Sequence, residues 1–435
     1  MAVVCVGGEW YLSSCDKLLL AVHTKHNRDP FVFDCSTAEN KPKGTRTDNK
    51  GHSCASEEKG SDTILALAVS LSGKLVALTD NNKRLVLFGT EPSWQCISTR
   101  RLVRRCTSLV FTQTEEELLA ADKSGDVYSL SVVEPRKAGE LKLGHLSMLL
   151  AMTLSPNDKY VITADRDEKI RVSYLKSPYN IQSFCLGHRE FVSSLLVLPM
   201  HPHWLLSGSG DGTMKLWEYE SGRRIQSWDL KQLRDTPSTQ ANEECSVRSY
   251  IYCICLVSQR SAVSKIATSP DGCHVAVQCE RVPIVQFFGM DQGVEEHLTP
   301  CSRLTLPHSP LDLTFDLQGR LLVLLDSQVT PFQIYMCMQD RWECDSHCLE
   351  LSRVSEALKP HWNALQTFGA AESRFQHLYK VNFDNMSSYL EKKQHRLQQQ
   401  NENWGKKRRA GKGLQIKQAR KKAKSEDKGG DEASS

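Results

Sequence analysis

The chain has 435 residues, of which 40% are hydrophobic, a size that allows one large repeat domain and a tail. It contains no apolar run long enough for a transmembrane helix and no basic stretch ahead of its first apolar residues, so we expect neither a membrane span nor a secretory signal. The net charge of +4 is uneven, because residues 391–428 carry +10 and the rest carries −6. A strongly basic end on a near-neutral body indicates nuclear import, an acidic partner or nucleic acid.

The N-terminal sequence MAVVCVGGEWYLSSCDKLLLAVHTKH (1–26) is predicted to form a first strand pair, and LLLAVHTKHNRDPFVF (18–33) is a weak first copy of the repeat described below. Residues 35–61 follow it and are polar and rich in Gly, Lys and Ser, which predicts a mobile loop insert. The sixteen cysteines are scattered along the chain. Without a secretion signal they are expected to be reduced, which favours the nucleus or the cytoplasm.

The middle of the chain contains a repeat with a period of about 42 to 44 residues. Its two best copies begin with Gly-His at residues 144 and 187, and each continues with short apolar runs and a turn that contains Asp. Four such turns precede apolar strands, at residues 79–82, 121–125, 164–168 and 208–212. This spacing is typical of the four-stranded blades of a WD-repeat propeller.

Three weaker copies flank these four, at residues 18–33, 275–288 and 321–335. The tight turns SPDG (269–272) and DLQG (316–319) lie between strands of the last two blades, and residues 231–245 predict a long loop. Together, the four turns and the weaker copies predict an all-β, seven-bladed WD-repeat β-propeller over residues 1–350. Residues 351–404 are predicted to be a C-terminal extension with a helix near 386–402, and residues 405–435 a disordered basic tail.

The repeat explains the residues that imitate a catalytic site. His188, Ser207, Asp211 and Trp217 are predicted to form a hydrogen-bond network that stabilises one blade, and His145, Thr163 and Asp167 its counterpart in the blade before. A Ser-His-Asp triad or a glycine-rich cofactor loop is disfavoured, because the same spacing recurs at the blade period and no helix follows the glycines.

The cysteines near the end of the propeller fit no common zinc spacing. We therefore predict no catalytic residue, no metal and no cofactor in this chain.

Two charged features remain as candidate binding sites. The first is an edge of two adjacent blades, which is either a solvated surface with weak ion pairs or a docking edge for a partner; its members are Lys123, Arg166, Asp167, Lys169 and Arg171. The second is the tail, whose two basic clusters resemble a bipartite nuclear localisation signal and could also contact phosphates or only confer solubility. The clusters contain Lys406, Lys407, Arg408, Arg409, Arg420, Lys421, Lys422 and Lys424.

Three segments together resemble one family. They are GSGDGTMKLW (208–217), TADRDEKIRVSY (163–174) and the pattern LYKxxFDNxxxYLxxKxxRL (378–397), which the basic tail follows. The chain is similar to the WD-repeat, non-catalytic subunits of tRNA guanine-N7 methyltransferases, in their vertebrate form, over essentially its whole length.

This resemblance implies a nuclear scaffold without an active site. It implies a heterodimer with a catalytic subunit that binds S-adenosylmethionine and methylates N7 of a guanosine in the variable loop of tRNA. The charged edge would then meet the partner, with Asp167 holding its turn and orienting Arg171. The alternative is a nuclear adaptor of another kind, such as a ubiquitin-ligase substrate receptor or a chromatin scaffold. The residues after Trp217 and Trp228 do not fit the motif expected of a ligase receptor.

Overall fold

The computed structural model describes residues 2–38, 61–235, 261–291, 297–361, 373–380, 390 and 392–396, except residues 27, 340 and 347. Within them, short runs of β-branched and aliphatic residues form 28 strands, and polar turns separate the strands.

The strands of the first four blades are β1 (Val3–Gly7), β2 (Trp10–Cys15), β3 (Leu18–His23), β4 (Phe31–Asp34), β5 (Ile64–Val69), β6 (Leu75–Asp80), β7 (Arg84–Gly89), β8 (Gln95–Arg101), β9 (Cys106–Phe111), β10 (Glu117–Asp122), β11 (Asp126–Ser131), β12 (Glu140–Gly144), β13 (Leu149–Leu154), β14 (Tyr160–Asp165), β15 (Ile170–Tyr174) and β16 (Ile181–Cys185). The strands of the last three blades are β17 (Val192–Val197), β18 (Trp204–Ser209), β19 (Thr213–Glu218), β20 (Arg223–Asp229), β21 (Val263–Thr268), β22 (His274–Cys279), β23 (Ile284–Asp291), β24 (His297–Thr305), β25 (Pro310–Phe315), β26 (Leu321–Leu325), β27 (Phe332–Met338) and β28 (Arg341–Cys344).

Each group of four consecutive strands forms one antiparallel sheet, and there are seven such sheets in the described part of the chain. The predicted seven-bladed propeller is therefore confirmed. The four predicted turns all join the second strand of a blade to the third, for example between β14 and β15. All turns of this kind lie on one face of the ring, together with the fully described loops that lead from one blade into the next.

The core is divided among the junctions between blades. Each of the seven pairs of neighbouring blades encloses its own apolar cluster. The second strand of a blade has neighbours on both of its sides and on both faces, and β14 is accordingly buried at every residue. Because these strands are buried on both faces, their sequences are almost continuously apolar.

The ring closes without an exchange of strands, since β1–β4 and β25–β28 are complete sheets. Closure depends on side chains instead. The backbone N–H of Val4 donates to the buried carboxylate of Asp312, at 2.9 Å. The guanidinium of Arg320 bonds both Asp316 and the hydroxyl of Tyr11, each at 2.7 Å. These contacts join the last blade to the first.

Two α-helices before residue 380 accompany the propeller in the described chain, with short 3-10 helices at Cys35–Thr37, Lys359–His361 and Gln376–Leu378. α1 (Leu230–Asp235) follows β20, so the predicted loop at residues 231–245 is wrong at its start, and its remainder lies outside the described residues. α2 (Leu349–Leu358) packs Val354 and Leu358 into the junction between the last and first blades. The sequence analysis did not predict α2.

The chain divides after Tyr379, so the first compact unit extends beyond the sequence-based limit of the propeller at residue 350. Of the predicted helix near 386–402, residues 390 and 392–396 are described and helical. Most of the loop insert at 35–61 and all of the tail at 405–435 lie outside the described residues. None of the described helices could cross a membrane, and the twelve described cysteines are free thiols.

Candidate partner-docking face

The strongest blade contains the predicted network of four side chains. The indole N–H of Trp217 donates to Ser207 Oγ at 2.8 Å, and Ser207 Oγ lies 2.7 Å from His188 Nε2. His188 Nδ1 lies 3.1 Å from a carboxylate oxygen of Asp211. Because a carboxylate only accepts, this nitrogen carries the proton.

This network is structural. Burial lowers the pKa of His188, although the hydrogen bond to Asp211 opposes that shift. Ser207 is completely buried and already bonded to Trp217, so its hydroxyl cannot reach a substrate. The hydrogen-bond network predicted for these four side chains is therefore present in the structure.

The counterpart in the fourth blade uses a different aspartate from the predicted one. His145 Nε2 lies 2.8 Å from Thr163 Oγ1, as expected, but His145 Nδ1 lies 3.1 Å from a carboxylate oxygen of Asp165. The prediction that Asp167 completes the network is wrong. The fourth blade ends its second strand in Asp165, where the fifth has Ser209, so the carboxylate arrives two residues earlier.

Asp165 also holds the turn, because it accepts the backbone N–H of Lys169 at 3.0 Å. Burial acts to raise the pKa of Asp165, but the hydrogen bonds from His145 and from this N–H outweigh it and lower the pKa. Asp80 and Asp122, which also end second strands, each accept in the same way from the backbone N–H of the residue four positions further along the chain. An aspartate at the end of the second strand is thus a recurring signal of this sequence.

The structure brings Lys123 and Arg166 to matching positions on one face. Each follows the aspartate that ends the second strand, and each donates its backbone N–H to the loop that enters its blade. The loop after β12 lies between the two turns: the Cα of Gly125 packs against the carbonyls of His145 and Ser147. Leu146, at the tip of that loop, is fully exposed between the two cationic turns.

Arg171 connects the third and fourth blades. Its Nη1 donates to the carbonyl oxygen of Gly144, the last residue of β12, at 3.0 Å. Its Nε is buried without an acceptor among the described residues. Burial lowers the pKa of Arg171, and the charge of Asp165 opposes this. The described hydrogen bond of the Arg171 side chain is therefore to Gly144 and not to Asp167, the residue predicted to orient it.

Lys169 and Asp167 lie on the same turn and are less enclosed. The ammonium of Lys169 is exposed and bonds the backbone oxygen of Asp167 at 3.2 Å. The side chain of Asp167 is half-buried.

A segment of the same chain covers one part of this face, and sequence reasoning missed it. Residues 373–379, which we call the docked segment, place Phe375 and Tyr379 against the ring of Phe191, with centroids 5.5 and 5.0 Å apart. Arg166 Nε donates to the carbonyl oxygen of Leu378 at 3.2 Å.

Charge accumulates where the docked segment lies. The pKa of His377 is lowered by burial and by the nearby charges of Lys123 and Arg166. Arg374 is exposed, and its Nη2 donates to the carbonyl oxygen of Ser264 at 3.2 Å. The face therefore combines an exposed leucine with several cations, an arrangement that suits an acidic protein surface. The predicted basic residues of the tail lie outside the described residues.

The chain matches the family model described as the tRNA methyltransferase TRM82 WD40 domain, over residues 23–142 and 133–346. It is 58% identical over 399 residues to the tRNA (guanine-N(7)-)-methyltransferase non-catalytic subunit wdr4 of Danio rerio, covering 91% of this chain and 92% of that protein. It is 44% identical over 362 residues to the subunit of the same name from Homo sapiens, covering 83% and 82%. Among solved structures, the WD40 repeats of RRP9 superpose with a TM-score of 0.55 at 18% identity, covering 75% of this chain and 87% of that one, which shows the fold.

Proposed function

This chain belongs to the family of tRNA (guanine-N(7)-)-methyltransferase non-catalytic subunits, and we propose that it is the scaffold that binds and stabilises the catalytic subunit of that enzyme. The observation that carries the proposal is the 58% identity to such a subunit over 91% of the chain. The buried network around His188 supports it, because the residues that imitate a triad serve the blade and not a reaction.

The catalytic subunit docks, in this proposal, on the face formed by the third and fourth blades. Lys123, Arg166, Lys169 and Arg171 present the cations, and Leu146 supplies an apolar contact between them. Opposite charges on a partner would fix its register and accelerate encounter. Asp167 lies on the same turn and contributes a polar contact at the rim.

A scaffold of this kind raises activity without chemistry of its own. Binding only the folded form of the catalytic subunit stabilises that form by mass action, and it can favour the conformation in which the active-site loops are ordered. S-adenosylmethionine binds to the partner in this proposal, and this chain needs no cofactor. The product is N7-methylguanosine in the variable loop of tRNA.

The basic tail adds contacts to the phosphates of tRNA, which a protein recognises largely through shape and backbone. The same clusters, at residues 406–409 and 420–424, direct the chain to the nucleus.

A methylation assay tests the proposal. Transfer RNA is incubated with the catalytic subunit and S-adenosylmethionine, with and without this chain, and N7-methylguanosine is measured by mass spectrometry. We expect methylation to depend on this chain, the chain alone to give none, and the chain alone to bind no S-adenosylmethionine in calorimetry. If the chain changes neither the activity nor the recovery of the partner, the adaptor function takes precedence.

A further inference from the structure

A cleft of about 1000 Å³ lies on the outer rim of the ring, between the second and third blades. One wall is β8, the outermost strand of the second blade. The other wall is the end of β11 and the connection that follows it, residues 130–139. The proposed function uses no residue of this cleft.

Three buried polar atoms in this cleft have no hydrogen-bond partner among the described residues: Ser98 Oγ, Arg100 Nε and Arg100 Nη1. Ser98 and Arg100 are two positions apart on β8, so their side chains lie on the same side of the strand. The remaining nitrogen, Arg100 Nη2, donates to the carbonyl oxygen of Ser131 at 2.7 Å, which holds the guanidinium across the cleft.

Arg100 is a cation without a counter-charge. Burial alone lowers its pKa, and no acidic group of the described chain lies close enough to oppose that shift. Glu134 lines the cleft, but it is largely exposed and lies 3.9 Å from Lys137. Buried charges without partners are costly, and buried donors normally find acceptors, so this arrangement indicates a bound anion.

We propose that this cleft binds a phosphorylated serine or threonine within an extended peptide segment of a partner protein, with the phosphate on Arg100 and Ser98. A phosphate oxygen accepts from the guanidinium, and the Ser98 hydroxyl donates to a second oxygen. β8 is an edge strand, so the backbone of an extended peptide can pair along it.

The walls favour a peptide over a nucleic acid. Ile97, Leu130 and Pro135 give them apolar surface, and no aromatic side chain lines the cleft within the described chain. Single-stranded nucleic acids usually stack their bases on such rings. The guanidinium is also recessed, and a side-chain phosphate reaches a recessed group more easily than the backbone of a duplex does.

The test measures binding of a fluorescent peptide with one phosphoserine between valines to the full chain by anisotropy. Its serine and glutamate versions and a short oligouridylate are measured alongside. We expect the phosphoserine peptide to bind most tightly, and Arg100→Gln to weaken it by about tenfold or more. Ser98→Ala should weaken it less.

The matched control is Arg101→Gln, which removes the same charge from an exposed neighbour that also lines the cleft. The affinity of this variant for the phosphoserine peptide should stay within about threefold of that of the unmodified chain, since exposed charges contribute little. The basic tail is identical in both variants and cannot account for a difference between them. The thermal midpoint of Arg100→Gln should not fall, because the substitution removes a buried cation without a counter-charge.

Four results would overturn the proposal. Equal losses in the two arginine variants would mean general electrostatic attraction. Tighter binding of oligouridylate than of the phosphoserine peptide would identify a nucleic-acid groove. Equal binding of the glutamate and phosphoserine peptides would show that the cleft does not recognise phosphate specifically. Absence of binding by every probe would mean that water alone satisfies Ser98 and Arg100.

Discussion

Replacing Arg171 with leucine should weaken binding of the catalytic subunit much more than it lowers the free energy of unfolding. The guanidinium makes one hydrogen bond, from Nη1 to the oxygen of Gly144, and its buried Nε makes none among the described residues. A hydrogen bond to a charged group contributes about 1.5–3 kcal/mol, but burial of a poorly paired cation costs a similar amount. The net loss of unfolding free energy should therefore be about 1 kcal/mol or less, a fall of a few degrees at most in the thermal midpoint.

The effect on the partner should be larger. Truncating a charge that becomes buried in an interface costs about 2 kcal/mol or more, which corresponds to about a thirtyfold increase in Kd. Kd for the catalytic subunit is measured by calorimetry and the midpoint by differential scanning fluorimetry. Arg223→Leu is the control, because Arg223 is an exposed arginine at the start of β20, on the opposite face of the ring.

The reasoning would be refuted by an unchanged Kd. If the thermal midpoint of Arg171→Leu were also unchanged, the docking face would be misplaced. If the midpoint fell by about 8 °C or more while Kd stayed constant, Arg171 would only join the two blades. A loss of affinity in Arg223→Leu of the same size would show that the long-range charge of the propeller, and not this face, attracts the partner.

Three further outcomes are expected. Asp165→Ala should lower the free energy of unfolding, measured in urea, by about 2–4 kcal/mol, because it leaves His145 without its acceptor. Asp167→Ala should change this free energy by less than about 1 kcal/mol. Equal losses in the two variants would contradict the assignment of Asp165 as the partner of His145. Burial lowers the pKa of His188 below 6.5, so the unfolded chain takes up a proton that the folded chain does not, and stability should fall as the pH drops through about 6.5. Fluorimetry across this range should show a flatter dependence in His188→Gln, and identical slopes would exclude His188 as the cause. Removing residues 403–435 should lower the tRNA affinity of the heterodimer and its salt slope without separating the subunits, and an unchanged slope would exclude the tail from RNA binding.

The fold was accessible from sequence because its information is local. Four turns at a spacing of about 42 to 44 residues, together with three weaker copies of the repeat, predicted seven blades. The network of His188 could be predicted for the same reason, since its residues recur at fixed offsets within one blade. Strand pairing, side-chain alternation and turn chemistry all act over a few residues, so they leave a periodic record in the sequence.

The choice between Asp165 and Asp167 shows where that record becomes ambiguous. Both aspartates lie in the turn, and alignment with the fifth blade favours Asp167, whereas the strand register places Asp165 beside His145. The better signal was the aspartate that ends the second strand in other blades, such as Asp80 and Asp122. Comparing the copies by strand end, rather than by turn, would have identified it.

The sequence by itself determined the blade count, the residues of the strongest blade and the two charged features. The tertiary structure alone decided that residues 373–379 dock on the ring, that Arg166 bonds Leu378, and that Ser98 and Arg100 face an open cleft. The physical reason is the distance along the chain: the bond from Arg166 spans 212 residues. Contacts between remote segments depend on how the blades pack, and no period or spacing in the sequence encodes them.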